Sequence, residues 1–460
     1  MTYQSVNPFN GKTLQTFAEH TDAELAAAID TATQGFATWR KMTFAERAAV
    51  VTKAASLMRS HSNEFAKLMT LEMGKLLAES VGEVALSADI LDYYAHNAEQ
   101  FLAPQQLHPP IGEASVENHP LGILFGVQPW NFPYYQLARF AGPNLMAGNV
   151  VMVKHSGTVP QCAIAFEQCW RDAGAPAGVY TNLRISYEQV NRVIDDPRIK
   201  GVALTGSVEA GRHVAERAGK NLKKSTMELG GSDAFIVLED ADVDKSVTWA
   251  VWAKMNNAGQ CCIAAKRIIV VEAVAERFFA GFQKALAALV PGDPMLATTT
   301  LAPLSTEAAL LKLLEQVQQA VAHGAKLIMG GNRIDRPGAF MQPTILSGIS
   351  VDNPAYHEEF FGPVALFFNV KNEDEAVALA NDSPFGLGGS VFTSDVARGK
   401  QVASRIDTGM VFINHPTWTA PDLPFGGIKD SGYGRELSSS GIQEFVNKKL
   451  IRTTPIDAPA

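Results

Sequence analysis

Cysteine is scarce in this chain, at four in 460 residues, which argues against a fold held together by disulfides. Two of the four, Cys162 and Cys169, lie seven residues apart, the spacing of one helix face, and read as core. The opening stretch MTYQSVNPFNGK has no charged-then-apolar signal pattern, and with so few cysteines it leads us to expect a reducing, cytoplasmic setting. Long apolar runs are missing as well. Stretches such as 121–127 and 266–271 are broken by glycine or charge, and none reaches the roughly 20 residues a membrane helix needs. There is no basic surplus: Lys and Arg number 39 against 47 Asp and Glu, for a formal net charge of −8. Neither nucleic acid nor an anionic membrane is therefore expected as a partner. Internal repeats, low-complexity segments, charge blocks and obvious linkers are also absent, and no G-x-G-x-x-G fingerprint occurs.

What is present is ordinary globular material, 47% hydrophobic and 19% charged, in a chain too long for one typical domain. Residues 21–105 read as helices. Thr21-x-x-Glu24 and Thr43-x-x-Glu46 both match the capping-box pattern ahead of apolar periodicity. The composition then shifts to QLHPPIGEASVENHP at 106–120, where alternation and a Pro-Pro-x-Gly turn predict a hairpin. Beyond it, predicted strands and helices alternate: strand 122–127, helix 134–147 with a kink at Pro143, strand 150–153, helix 160–173, strand 202–204, helix 208–219. That alternation predicts a doubly wound α/β sheet. A second α/β unit follows from residue 232, with strands at 234–238, 267–271 and 326–329. Without a linker between them, the units are expected to interleave.

Several short motifs carry possible chemistry, and each also has a plain structural explanation. Asn257-Ala258-Gly259-Gln260-Cys261-Cys262 sets two thiols after a Gly-Gln pair that is poor core material. A thiol at a pocket floor is a covalent nucleophile toward carbonyls, yet free cysteine is also among the most buried residue types. Trp130-Asn131-Phe132-Pro133 follows a strand and opens a helix; the Asn131 amide is either an oxyanion donor or a cap. Lys154 ends a strand, where nucleotides bind in open sheets, although a lone surface lysine is commoner. Leu204-Thr205-Gly206-Ser207 leads into a helix, a turn that suits phosphate. Glu228-Leu229-Gly230-Gly231 offers a carboxylate that, partly buried, activates water, or is simply a solvated helix-end acid. Glu358-Glu359-Phe360-Phe361-Gly362-Pro363 pairs a ribose-binding acid with a ring suited to a flat nicotinamide, or is a charged turn before a core strand. Pro424-Phe425-Gly426-Gly427 and Ser431-Gly432-x-Gly434-Arg435-Glu436 close the series.

In this order and at these separations, from about residue 7 to about 450, the motifs resemble the aldehyde dehydrogenase superfamily, nearest to its bacterial succinate-semialdehyde branch. The resemblance implies an NAD(P)-binding Rossmann-like domain (1–105 and 121–227), an α/β catalytic domain (228–436) and a small β oligomerisation module (106–120 and 437–460) that makes a homodimer or homotetramer. It implies Cys262 as nucleophile, rather than Cys261, with Asn131 as oxyanion amide and Glu228 as general base. It assigns Lys154 to the adenosine ribose, Ser207 with Gly206 to the pyrophosphate, Glu359 to the nicotinamide ribose and Phe361 to the ring, with Trp130 and Leu229 beside the cofactor. Glu228 argues against an acylating branch dependent on coenzyme A. No metal is implied. Two departures stand out. NAD-selective members often carry Glu three residues after the lysine, where this chain has Gly157, so a 2′-phosphate is not repelled and NAD or NADP both remain open. Relatives specific for semialdehydes hold the substrate carboxylate with two arginines; Arg139 matches the first, and the second position is Asn256, which can still donate a hydrogen bond. A broad aliphatic or hydroxy-aldehyde dehydrogenase is the competing expectation.

Overall fold

The computed structural model describes residues 3–458. Four helices occupy the N-terminal part: α1 (Asp22–Trp39), α2 (Phe44–Ser60), α3 (Ser62–Met73) and α4 (Leu77–Phe101). The first two start where the sequence predicts. Thr21 Oγ1 accepts from Glu24 N at 3.2 Å while Glu24 accepts from Thr21 N at 2.7 Å, and Thr43 and Glu46 repeat both bonds at the same lengths. These reciprocal bonds satisfy backbone donors that the first helical turn leaves free. Helix α3 stops at Gly74, which takes the left-handed conformation (φ 86°).

A six-stranded sheet follows. Its central strands are β1 (Ile123–Gln128), β2 (Val150–His155), β3 (Tyr180–Asn182), β4 (Ile199–Thr205) and β5 (Lys224–Glu228). They lie in the order β5-β4-β1-β2-β3, all parallel, and Gly432–Tyr433 adds an antiparallel edge beside β5. The chain winds outward from β1 in one direction and from β4 in the other, so a switch point lies between them at the carboxyl edge, where open α/β sheets bind ligands. Val150 to Val153 are fully buried, as a parallel strand covered on both faces requires. The covering helices include α5 (Pro133–Met146), α6 (Pro160–Asp172), α7 (Tyr187–Asp195) and α8 (Val208–Lys220). Helix α5 runs on through Pro143 to Met146, close to the expected 134–147. Cys162 and Cys169 are both buried on α6. Trp39 is fully buried and its Nε1 donates to Leu145 O at 2.8 Å; truncating such a side chain costs about 3–5 kcal/mol.

The second α/β unit is a seven-stranded sheet around β6 (Asp233–Val237) and β7 (Ala265–Val271), parallel apart from the antiparallel edge pair Lys326–Met329 and Thr344–Ser347. Helix α9 (Val243–Met255) joins β6 to the cysteine loop that precedes β7. A third, three-stranded antiparallel sheet unites Gln105–Leu107, Glu113–Pro120 and Val446–Thr453, so the predicted hairpin takes its third strand from the far end of the chain. Among the described residues, no helix is long and apolar enough to cross a membrane.

Candidate active site

The cysteine loop is built on an unusual backbone. After α9, Asn257 (φ 53°, ψ 37°), Ala258 (φ 53°, ψ 31°) and Gly259 (φ 78°) are left-handed in succession. Glycine is needed at the third place, because a Cβ there would lie 2.2 Å from Gly362 O. At the first two places the conformation is strained and is held by hydrogen bonds. Asn257 N donates to Glu79 Oε1 (3.0 Å), and Asn257 Nδ2 donates to Asn131 O (2.9 Å) and Gln260 O (3.2 Å). Gln260, with no exposed surface, donates through Nε2 to Asn257 O (3.1 Å) and accepts from Ser305 N (2.8 Å). The Gly-Gln pair that looks like poor packing material is thus a fully bonded turn.

Two cysteines follow. Lys266, four residues on and buried, donates to the carbonyls of both Cys261 and Cys262 at 2.7 Å. Cys261 is buried and Cys262 half-buried; both are free thiols. The two thiols influence each other: the neighbouring Cys262 thiol lowers Cys261, while Cys261 together with burial holds Cys262 well above the usual thiol range.

Asn131 is buried beside them, with Nδ2 donating to Gln260 O at 3.1 Å. Its peptide carbonyl receives Asn257 Nδ2, so the two asparagines lock the start of α5 to the cysteine loop. Glu228 ends β5, buried at 4% exposure, with Oε1 unpartnered among the described residues. Burial pushes its carboxyl up to about 8, against the pull of the Arg139 guanidinium. A carboxyl half-ionised near neutrality suits proton transfer. The charges of Glu228 and Cys262 both reach Arg139 electrostatically.

Arg139 sits deeper than expected of an open anion clamp. It is 1% exposed, ion-paired through Nε to Glu436, and donates to Tyr135 Oη (3.1 Å), Gln136 Oε1 (2.7 Å) and Thr205 Oγ1 (3.2 Å). Burial works against its charge, but the Glu436 carboxylate holds it cationic. Asn256, the residue after α9, is half-buried.

Gly230 and Gly231 make room for the neighbours of the thiol. A Cβ on Gly230 would meet Glu359 Oε2 at 2.5 Å, and one on Gly231 would meet Cys262 O at 2.6 Å. Glu359 Oε1 accepts from Gly231 N and from Lys266 Nζ, each at 3.0 Å. Phe361 meets Trp130 edge-on, ring centroids 5.8 Å apart. Cys262, Glu359, Leu229–Gly231, Phe361 and Trp130 thus belong to one neighbourhood. Lys154 lies three strands away from Glu228 along the sheet's carboxyl edge, whereas Ser207 follows β4, next to Glu228, whose carbonyl accepts from Gly206 N at 2.9 Å. Ser207 caps α8, its hydroxyl accepting from Ala210 N at 3.3 Å after Gly206. Lys154, at the end of β2, is 4% exposed, lies 5.5 and 5.4 Å from the Tyr3 and Tyr187 ring centroids, donates to His155 O at 3.3 Å, and feels the Glu19 carboxylate. Burial lowers its ammonium to about 8. A buried cation at the carboxyl end of a parallel strand fits a ribose or phosphate partner.

Sequence reasoning missed Lys266, Glu79 and the pairing of Glu436 with Arg139. Each is a charged residue within an otherwise ordinary stretch, and only the chain path shows which backbone groups it meets.

Comparison with known proteins decides the family: residues 1–451 match the aldehyde dehydrogenase family. The chain belongs to it. A succinate-semialdehyde dehydrogenase [NADP(+)] of Deinococcus radiodurans is 52% identical, across 98% of this chain and 95% of its own length. A succinate-semialdehyde dehydrogenase [NADP(+)] 1 of Mycobacterium tuberculosis is 44% identical, across 98% and 99%. Among solved structures, the succinic semialdehyde dehydrogenase of Streptococcus pyogenes, in complex with NADP+, has a TM-score of 0.97 at 46% identity and covers 98% of this chain and 100% of its own. The aldehyde dehydrogenase fold expected from the motif order is the fold observed.

Proposed function

We propose that this member of the aldehyde dehydrogenase family oxidises succinate semialdehyde to succinate with NADP+. The observation that carries this reading is the full-length similarity to NADP+-dependent succinate-semialdehyde dehydrogenases, in a chain that keeps Cys262, Asn131 and Glu228 in one buried neighbourhood.

The chemistry follows from those groups. Cys262, once deprotonated, attacks the aldehyde carbon and forms a thiohemiacetal. Its oxyanion takes the Asn131 amide and the Cys262 N–H as donors, an electrostatic contribution worth about 2.7–4 kcal/mol per donor. A bound nicotinamide would supply the hydride acceptor, and loss of hydride from the thiohemiacetal would leave a thioester on Cys262. Glu228, poised near neutrality, draws a proton from water to hydrolyse it. Glu359 would hold the nicotinamide ribose, Phe361 and Trp130 would lie by the ring, and Lys154 with Gly206 and Ser207 would hold the adenosine and pyrophosphate. Gly157 leaves room for a 2′-phosphate without an opposing acid, which favours NADP+ while admitting NAD+. Arg139 and Asn256 are the proposed partners of the substrate carboxylate.

A second reading, a broad aliphatic or hydroxy-aldehyde dehydrogenase, draws on one observation: the Arg139 donors are already engaged by Glu436, Tyr135, Gln136 and Thr205. We place the cofactor domain at 1–105 and 121–227, the catalytic domain at 228–436, and the oligomerisation module at 106–120 and 437–460. The Val446–Thr453 strand is exposed along nearly its whole length, which supports a homodimer or homotetramer formed through that sheet, and we place the enzyme in the cytoplasm. The test is a kinetic panel of succinate semialdehyde, butanal and a hydroxy-aldehyde, each with NADP+ and NAD+. Succinate semialdehyde with NADP+ is expected to give the highest kcat/KM. Equal values across the three aldehydes would favour the second reading.

A further inference from the structure

Helix α4 and the segment before it carry buried charges that the reaction above does not use. Lys75, with no exposed side-chain surface, pairs with Glu83, and its Nζ lies 3.6 Å from the Phe132 ring centroid. Glu83 Oε1 accepts from Tyr134 N (2.9 Å) and Tyr135 N (3.1 Å), the first turn of α5. Glu79, one turn before Glu83 on the same face, accepts from Asn257 N (3.0 Å), and its Oε2 is buried without a partner among the described residues. Two carboxylates at i and i+4 repel, and the oxygens of both here are shielded from water. The arrangement calls for a compensating use, and the residues it touches supply one. Glu83 holds the turn that carries Asn131, and Glu79 holds the turn that carries Cys262.

We propose that Glu79 is a positioning residue for the nucleophile: its carboxylate pins the left-handed Asn257 backbone, and so sets Cys262 against the Asn131 amide, while the Lys75–Glu83 pair fixes the Asn131 side to the same helix. Left-handed Asn257 and Ala258 are strained and persist only where neighbours over-determine them. Without the Glu79 acceptor, Asn257 N–H is a buried orphan and the turn is free to relax. Asn257 Nδ2 then loses its aim at Asn131 O and Gln260 O, the two carbonyls that tie the loop to α5. A displacement of about 1 Å between reacting groups lowers a rate by about a hundredfold. The effect falls on formation of the thiohemiacetal and hydride transfer, because Glu228 stands on β5, away from this helix.

This inference rests on the reading of Cys262 as nucleophile, and the experiment separates the two. Stopped-flow bursts of reduced cofactor are measured for native enzyme, Glu79→Ala, Glu79→Gln, Cys262→Ala and Glu72→Ala, with a melting curve for each. Glu72 is the reference for a structural carboxylate: it accepts from Gln161 N and Cys162 N at 2.9 Å at the start of α6. Glu79→Ala is expected to slow the burst roughly tenfold to a hundredfold while leaving the NADP+ dissociation constant unchanged. Glu79→Gln, whose amide oxygen still accepts from Asn257 N, is expected to restore most of the rate. Glu72→Ala is expected to lower the melting temperature and keep the burst rate. A native burst in Glu79→Ala, or equal slowing in Glu79→Ala and Glu72→Ala, overturns the positioning role. Turnover by Cys262→Ala would instead overturn the nucleophile assignment. Should Glu79→Ala fail to fold, Glu79→Asp makes the same contrast with Glu79→Gln: the shorter acid slows the burst and the amide does not.

Discussion

The two ends of the sheet's carboxyl edge are organised differently. At the reaction end, nearly every functional group is tied to another element: Asn131 to Gln260 O, the Cys262 carbonyl to Lys266, Glu359 to Gly231 N, Arg139 to Glu436. At the adenosine end, Lys154 stands between two tyrosine rings with one 3.3 Å contact to His155 O. The reaction end fixes geometry before anything binds, which is where a rate advantage comes from. The end proposed for adenosine carries a buried cation, which would draw an anionic cofactor. Substitutions at the first end should therefore act on rate, and those at the second on cofactor binding.

Cys262→Ala is the largest break, and we expect it to abolish aldehyde oxidation while Cys261→Ala keeps most of it. Loss of activity in the Cys261 variant with turnover in the Cys262 variant would reverse the assignment. Next comes Glu228→Gln, with the burst preserved and steady-state turnover reduced about 10²–10⁴-fold, the usual worth of a general base. The pH dependence sharpens this. Burial raises Glu228 to about 8, so its active carboxylate form grows as pH climbs from 7 to 9. Steady-state turnover should rise over that interval and level off above it, and Glu228→Gln should lose the rise. The burst rate follows Cys262 instead, whose thiol is also held high, so an alkaline limb in the burst alone belongs to the thiol.

Much of this was readable without coordinates. Capping boxes are local patterns, and Thr21 and Thr43 start helices where predicted. Parallel strands such as Val150–His155 and Ala265–Val271 read clearly because burial on both faces makes them continuous apolar runs, whereas Lys224–Glu228, which carries the general-base candidate, and Val364–Val370 did not. Motif order pointed to the family that the whole-chain comparison shows. The supports of the site were not readable. Glu79 lies 178 residues from Asn257 and Lys75 lies within an ordinary polar stretch; their meaning depends on which distant backbone N–H they meet. Arg139 shows the same limit from the other side. Its place on α5 was legible, but its pairing with Glu436, nearly 300 residues away, was not.

Arg139 tests whether the reaction end has any charge left for the substrate. Arg139→Met removes both the proposed carboxylate partner and the partner of Glu436. A charge-assisted pair with the substrate is worth about 1.5–3 kcal/mol, so kcat/KM for succinate semialdehyde should fall roughly tenfold to a hundredfold more than for butanal. The loss on butanal measures the disturbance to Glu436 and Glu228. Equal losses on the two aldehydes would mean that Arg139 serves Glu436 alone and that the carboxylate is held elsewhere.

The smallest effect is expected at the adenosine end, from Gly157→Glu. Gly157 is half-buried, and the neighbouring Ser156 and Thr158 hydroxyls bond each other at 2.9 Å. A new carboxylate there faces the 2′-phosphate of NADP+ across partly wet space, where unit charges about 4 Å apart interact by about 1 kcal/mol in water. That predicts a roughly fivefold to tenfold rise in KM for NADP+, with NAD+ nearly unaffected because its 2′-hydroxyl carries no charge. The Lys154 cation adds a pH signature. Burial lowers it to about 8, so NADP+ affinity should weaken as pH rises through that value and the ammonium is lost. Lys154→Met should weaken binding at pH 7 and flatten that dependence. If Gly157→Glu raised KM for both cofactors equally, the added side chain would be obstructing the ribose itself, and charge at the 2′ position would not be what selects NADP+.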